Sequence, residues 1–244
     1  MEEPLEIRLG GRRFTITMRT PGHDQELVAG FLFAEGFIAA GREIDEIRSV
    51  RGSDGRPEAN IVDVILNAPA EELRERLKRN FAVTSSCGLC GKTSIDAIRR
   101  RIAPPTRDAA ISPSVLLGLG AKMRAEQVIF AATGGLHAAA LFDLAGNLQA
   151  IREDVGRHNA VDKVIGWALR KEMVPLADAM VMVSGRLSFE IVQKVAAAGV
   201  PIVAAVSAPS SLAVELADEV GTTLIGFLRD GAFNVYTHPE RVLN

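Results

Sequence analysis

The chain has 244 residues, of which 48% are hydrophobic and 24% charged, and its net charge is -2. This composition is typical of a globular protein with a buried core, and it lacks the basic excess of nucleic-acid binders. No apolar run is long and unbroken enough to span a membrane, and the acidic start MEEPLEIRLGG does not resemble a signal peptide. We therefore expect a cytoplasmic protein that binds neither nucleic acid nor membrane.

The first part of the chain predicts a small α+β region. Alternating apolar and polar residues flank Gly10-Gly11, which is the pattern of a β-hairpin. Leu27, Phe31 and Ala34 then recur at helical spacing. The expected elements are strands over 5–9 and 13–18, a helix over 23–36, strands over 44–51 and 61–66, a charged helix over 71–79, a short strand over 81–84 and a helix over 93–101. The proline-rich stretch 103–107 is the best linker candidate, so we predict one region over 1–106 and a second domain over 107–244.

The second part of the chain alternates apolar strands with helices. The stretches around Val181 and Val203 are continuously apolar, as in strands buried on both faces. The expected elements are a helix over 113–124, strand segments over 128–133, 137–142 and 148–151, a helix over 160–170, a strand over 179–183, a helix over 188–198, a strand over 201–206, a helix over 211–219 and a strand over 223–227. This alternation predicts a largely parallel sheet in a three-layer α/β/α domain.

Cys87 and Cys90 are the only two cysteines, and they are separated by two residues. In a cytoplasmic chain such a pair indicates a reactive or metal-binding site rather than a structural disulfide. A free thiol has a pKa of about 8.5, and a helix start together with Lys92 would favour the thiolate. A structural zinc site needs four ligands, and the four histidines lack ligand spacing, so we expect no metal. A dithiol redox pair and a persulfide relay both fit the residues, and the spacing does not separate them.

Arginines occur in three loops of the second part. Arg157 lies before a predicted helix, Arg186 follows a predicted strand, and Arg229 follows the last strong strand. Strand ends and helix starts at one edge of an α/β sheet bind anions and nucleotides, and guanidinium groups form bidentate contacts with phosphate. We therefore expect an anionic ligand at this edge. The Ser, Gly and Pro residues of these loops also fit ordinary caps and turns, and His158 fits a structural histidine equally well.

An ordered set of motifs over nearly the whole chain resembles the FdhD family. These motifs are Met18-Arg19-Thr20-Pro21-Gly22, Phe31-Leu32-Phe33-Ala34-Glu35-Gly36, Ser85-Ser86-Cys87-Gly88-Leu89-Cys90-Gly91, Thr133-Gly134-Gly135-Leu136-His137-Ala138-Ala139, the run from Arg152 to Lys163, Ser184-Gly185-Arg186, and the segment from Phe227 to Tyr236.

The resemblance implies an accessory sulfurtransferase for formate dehydrogenase. Such a protein accepts sulfur as a persulfide from a cysteine desulfurase and passes it to the molybdenum cofactor in its bis(molybdopterin guanine dinucleotide) form, which a guanine nucleotide such as GDP could mimic. Cys87 would carry the persulfide and Cys90 would assist. The resemblance also implies a homodimer. The family's cofactor-binding segment would correspond to Phe227, Leu228, Arg229, Asp230, Gly231 and Ala232, and loop position adds Arg157 and Arg186 as candidate phosphate contacts.

The family's larger domain resembles the cytidine deaminase fold, so we expect that fold after the smaller N-terminal α+β region with its hairpin. Zinc deaminases need His-x-Glu and Pro-Cys-x-x-Cys at two helix starts. The corresponding positions here are Arg157-His158-Asn159 and Gly185-Arg186-Leu187, so we expect no deaminase activity. Two rival functions stay open, a dithiol oxidoreductase and a chaperone that shields the cofactor without transferring sulfur.

Overall fold

The computed structural model describes residues 1–51, 57–68, 102, 109–229 and 231–243. The elements predicted over 71–101 lie outside these residues. In chain order the described elements are β1 (Glu3–Leu9), β2 (Arg12–Arg19), α1 (Asp24–Ala34), β3 (Ile44–Arg51), β4 (Pro57–Leu66), α2 (Pro113–Ala125), α3 (Val128–Thr133), β5 (His137–Asp143), β6 (Leu148–Asp154), α4 (Arg157–Arg170), β7 (Ala179–Val183), α5 (Phe189–Ala197), β8 (Ile202–Ala205), α6 (Ser211–Val220), β9 (Thr223–Arg229) and β10 (Ala232–Val235).

Four strands of the described part form the N-terminal sheet, in the order β2-β1-β4-β3. The predicted hairpin is confirmed, since β1 and β2 pair antiparallel around Gly10 and Gly11. Both glycines have positive φ, 57° and 78°, which tight hairpin turns favour. Strand β1 also pairs in parallel with β4, and its alternate residues Leu5, Ile7 and Leu9 are buried against the core.

The second sheet has six strands among the residues that the structure describes, in the order β10-β9-β8-β7-β5-β6. The prediction of a largely parallel sheet is wrong. Among the described strands of this sheet, only β7, β8 and β9 pair in parallel, through the crossover helices α5 and α6. Strand β5 is antiparallel to both of its neighbours, and β10 is antiparallel to β9. The reason is connection length, because β5–β6 and β9–β10 are joined by turns too short for a parallel crossover.

The predicted three-layer α/β arrangement is confirmed. Alternate strand residues such as Val181 and Val203 face a core that also contains residues of α4, α5 and α6. Their neighbours, Met180 and Met182 among them, face a second core that contains Leu116 of α2. Helices therefore cover both faces of the six-stranded sheet. The likeness to the cytidine deaminase fold stays a prediction.

Most predicted elements in the described part are confirmed with ends shifted by a few residues, but two differ. Residues 128–133, expected as strand, form the short helix α3, which ends at Gly134 in the left-handed conformation with φ 68°. A six-residue apolar run fits strand and helix equally well by pattern, so tertiary contacts decide. Strand β10 was not predicted, because its four residues are too few for their alternation of exposed Ala232 and Asn234 with half-buried Phe233 and Val235 to stand out in the sequence.

Helix α1 joins the two sheets by packing backbone to backbone against α4. A Cβ atom added at Gly30 would lie 2.7 Å from the carbonyl carbon of Asp162, and one added at Gly166 would lie 2.6 Å from that of Glu26. Beside this contact the Glu26 carboxylate accepts two hydrogen bonds from Arg152, at 2.5 and 2.8 Å. One hydrophobic core therefore extends from β1 to β9. The division between 1–106 and 107–244 stays a prediction.

No helix in the part of the chain that the structure describes has the length and apolarity needed to cross a membrane.

Candidate functional site

The mixed topology still brings the predicted loops to one edge of the six-stranded sheet. The pairs His137–Asp154 and Val183–Ala205 lie at this edge, because β5 runs opposite to β6 and β7. The start of β5 therefore lies beside the carboxyl ends of β6, β7 and β8. Carboxyl ends of strands at such an edge are the usual ligand sites of α/β proteins.

A cavity of about 680 Å³ opens at this edge, on the face that α2 covers. Its lining includes Leu228, Arg229 and Gly231, three members of the predicted cofactor segment. His137 and Ser184 line it from the sheet edge. The volume is within the range of sites that bind nucleotide-sized molecules.

A β-bulge at the end of β9 explains why Leu228 reaches this cavity. Phe227 has a φ of 53°, and the pairing with β10 gains one residue there, since Ala232 pairs with Arg229 but Asn234 pairs with Gly226. The extra residue reverses the alternation of side chains along the strand. As a result Leu228 joins Ile225 in the core under α2 instead of facing the opposite side.

Four other predicted residues that the structure describes do not line the cavity. Arg186 is exposed, and neither it nor Arg157 lines the cavity. The Nε atom of Arg157 is buried and has no hydrogen-bond partner among the described residues. Ala232 is exposed at the start of β10, and Phe227 has its ring centroid 6.0 Å from the Cζ atom of Arg229. Asp230 lies outside the described residues.

Two histidines near Arg157 are held neutral. Burial and then the Arg157 and Lys194 charges lower the pKa of His158 to about 4, although Glu190 opposes this shift. Its Nε2 atom lies 3.2 Å from the hydroxyl oxygen of Ser188. Burial and Arg157 also lower the pKa of His137 at the cavity. At neutral pH both rings are therefore uncharged hydrogen-bonding groups, and arginines supply the positive charge at this edge.

A family model matches this chain. Residues 1–243 match the model of the FdhD/NarQ family. The chain belongs to the FdhD/NarQ family. The family assignment made from the sequence motifs is therefore confirmed.

Relatives in this family are similar over almost their full length. The sulfur carrier protein FdhD of Mycolicibacterium paratuberculosis is 50% identical over 99% of this chain and 90% of its own length. The protein of the same name from Streptomyces coelicolor is 52% identical over 99% and 87%, and that from Sulfolobus acidocaldarius is 45% identical over 99% and 90%.

A solved crystal structure has a fold similar to that of this FdhD/NarQ family member. The crystal structure of a protein described as a formate dehydrogenase accessory protein, from Desulfotalea psychrophila, superposes with a TM-score of 0.76 at 30% identity. The match covers 100% of this chain and 90% of that one.

Part of the cavity of this FdhD/NarQ member was not expected from its sequence. Arg124 from α2 and Phe130 from α3 both line it, and the Arg124 Cζ atom lies 4.2 Å from the centre of the Phe130 ring. Phe130 was missed because residues 128–133 were expected to be strand, and Arg124 was missed because it lies in a helix whereas the phosphate contacts were predicted from loops. The motif Thr133-Gly134-Gly135 was the available signal, since two adjacent glycines are common where a backbone approaches a ligand.

The cysteine pair lies outside the described residues, so the roles of Cys87 and Cys90 stay predictions. The expectation that they hold no zinc stays a prediction for the same reason. Among the described residues, no three His, Cys, Asp or Glu side chains converge as metal ligands would.

Proposed function

We propose that this chain is a sulfur carrier that accepts sulfur on Cys87 and delivers it to the molybdenum cofactor of formate dehydrogenase. The observation that supports this most is the identity of 45–52% over 99% of the chain to proteins named sulfur carrier protein FdhD. Cys87 and Cys90 are the only thiols in the sequence, so a sulfur atom carried as a persulfide has only these two positions.

Loading requires a thiolate and a persulfide donor. The Cys87 thiolate attacks the outer sulfur of a persulfide on a cysteine desulfurase, and the desulfurase cysteine leaves as a thiolate. One S–S bond breaks and one forms, so no external oxidant or reductant is needed. Cys90 then releases the sulfur: its thiolate attacks the inner sulfur of the Cys87 persulfide, the bond to the outer sulfur breaks, and a Cys87–Cys90 disulfide forms as hydrosulfide leaves toward the acceptor. A cellular thiol reduces this disulfide before the next round. In this proposal the desulfurase and formate dehydrogenase are the protein partners, and the carrier works as a homodimer.

The cavity is the proposed binding site for the guanine nucleotide portion of the cofactor. Its walls provide the guanidinium groups of Arg124 and Arg229, which suit phosphate oxygens. Gly134 and Gly135 allow close approach of a ligand to the backbone. The bis(molybdopterin guanine dinucleotide) cofactor is the proposed substrate, and GDP is the proposed mimic of one of its ends.

Mass spectrometry tests the sulfur-carrier role. After incubation with a cysteine desulfurase and cysteine, the chain should gain one sulfur atom, and peptide mapping should place it on Cys87. Cys87→Ser should abolish the gain, whereas the matched control Cys90→Ser should keep it. Sulfur found on Cys90 alone, or on neither residue, would refute the assignment.

Complementation separates this role from its two rivals. A strain that lacks its own carrier should recover formate dehydrogenase activity with the wild-type chain but not with Cys87→Ser. Recovery with Cys87→Ser would instead support a chaperone that only shields the cofactor. A reversible Cys87–Cys90 disulfide that reduces a protein substrate, without sulfur transfer, would support a dithiol oxidoreductase.

A further inference from the structure

Helix α3 forms part of the cavity wall, but few of its own side chains are shielded from solvent. None of the residues from Val128 to Gly135 is buried, and the exposed fractions of Val128 and Ile129 are 71% and 41%. Six residues are too few to form a stable helix in water, because helices of this length depend on packing for their stability. Contacts from outside α3 must therefore hold it in place.

The strongest of these contacts comes from Glu153 on β6. Its carboxylate accepts hydrogen bonds from the backbone N–H groups of Ile129 and Phe130, at 2.8 and 2.7 Å. These donors have no partner within α3 because they belong to its first turn. A carboxylate at this position also interacts favourably with the positive end of the helix dipole. Arg124 adds a second contact by stacking on Phe130.

The residues on either side of Glu153 hold strand β6 in place. Arg152 is paired with Glu26 of α1, and Asp154 is paired with the buried Lys163 at 2.7 Å. Since successive side chains of a strand point to opposite faces, Arg152 and Asp154 point toward the α1 side while Glu153 points toward α3. Glu153 therefore projects from a strand that is held in place by its neighbours' ion pairs. Its carboxylate contacts α3, which has few other contacts.

We infer that Glu153 is a positioning residue that holds α3 against the cavity and thereby sets the affinity of the cavity for its nucleotide ligand. This inference rests on the proposed function for the identity of the ligand. When the carboxylate is removed, the first turn of α3 loses the side chain that accepts its backbone hydrogen bonds at Ile129 and Phe130, and α3 departs from the sheet. Phe130 and the Arg124 guanidinium stacked on it then leave their places in the cavity wall.

Hydrogen–deuterium exchange of the full chain tests the contact directly. In Glu153→Ala, amide exchange over residues 128–135 should become at least tenfold faster, while exchange in β8 should stay at the wild-type rate. Glu153→Gln keeps one acceptor oxygen and should show a smaller increase. The matched control is Glu126→Gln, which removes an exposed carboxylate just before α3 and should change nothing. Faster exchange throughout the chain, or none in 128–135, would overturn the inference.

Titration with GDP tests the consequence for the ligand. Glu153→Ala should bind GDP about tenfold more weakly than Glu126→Gln, while both variants accept sulfur on Cys87 as the wild type does. Unchanged GDP affinity together with faster exchange in 128–135 would overturn the link between α3 and the ligand. If the wild type itself fails to bind GDP, the proposed cofactor site fails, and the exchange measurement still decides whether Glu153 holds α3.

Discussion

The glycine contact between α1 and α4 predicts a large effect from a very small substitution. Gly30→Ala adds one methyl group where the nearest backbone atoms of α4 include the carbonyl carbon of Asp162 at 2.7 Å and the amide nitrogen of Gly166 at 2.9 Å. Ordinary contact begins at 3.4 Å, and neither atom belongs to a flexible side chain. The two helices must therefore move apart.

The expected loss of stability follows from two opposing terms. Alanine is better than glycine inside a helix by about 1 kcal/mol. Overpacking of a close contact typically costs about 1–3 kcal/mol, and more when both partners are backbone. Separation of the helices also lengthens the Glu26–Arg152 hydrogen bonds. With about 3 kcal/mol for the overpacking, because both partners are backbone, we expect a net loss of about 2 kcal/mol, which for a chain of this size lowers the Tm by roughly 4–8 °C.

Thermal unfolding followed by circular dichroism measures this effect. Gly118→Ala is the matched control, because Gly118 also lies inside a helix but a Cβ atom there would meet nothing within 4 Å. The control should keep or slightly raise the Tm. Equal Tm values for the two variants would show that α1 and α4 do not need their close approach, and the packing argument would be wrong.

Three other measurements address the charged groups. Asp154→Ala leaves the Lys163 ammonium buried without its carboxylate, so urea denaturation should show a loss of about 3–5 kcal/mol, and a loss below about 1 kcal/mol would contradict this. Because the folded-state pKa of His158 is lowered to about 4, stability should fall as the pH drops from about 6.5 toward 4. His158→Gln should flatten the pH dependence of the Tm in that window, whereas an NMR titration of His158 with a midpoint near 6.5 would refute the assignment. Arg229→Ala should weaken GDP binding about tenfold in equilibrium dialysis, and Arg186→Ala, which changes an exposed residue that does not line the cavity, should not.

Local patterns in the sequence predicted elements well where one physical rule dominates. The hairpin around Gly10-Gly11 follows from alternation and turn chemistry, and β7 and β8 follow from continuous apolar runs. Strand direction was predicted poorly, because an apolar strand has the same pattern whether its neighbour runs parallel or antiparallel. The close contact between α1 and α4 at Gly30 could not be predicted either, since nothing in the local sequence indicates that another helix lies against a given glycine.

The candidate site was also predicted only in part. The segment from Leu228 to Gly231 was placed by its position after the last strong strand, and the structure puts its described residues on the cavity. Arg124 and Phe130 were missed because they lie in helices, whereas the site was predicted from loops that follow strands or precede helices. Arg157 and Arg186 were grouped with Arg229 by loop position alone, which does not determine the face of the sheet to which a side chain points.

The joining of both sheets through α1 has a consequence for protein synthesis. Thr20, at the start of the segment that leads into α1, hydrogen-bonds Asp154, which follows it by 134 residues. The apolar face of α1 therefore leaves the ribosome long before α4 exists to cover it. Contacts this distant in sequence form slowly, and exposed apolar surface favours aggregation in the meantime. The first part of the chain to be made is thus among the last to reach its final place, and we expect the nascent chain to depend on chaperones during that interval.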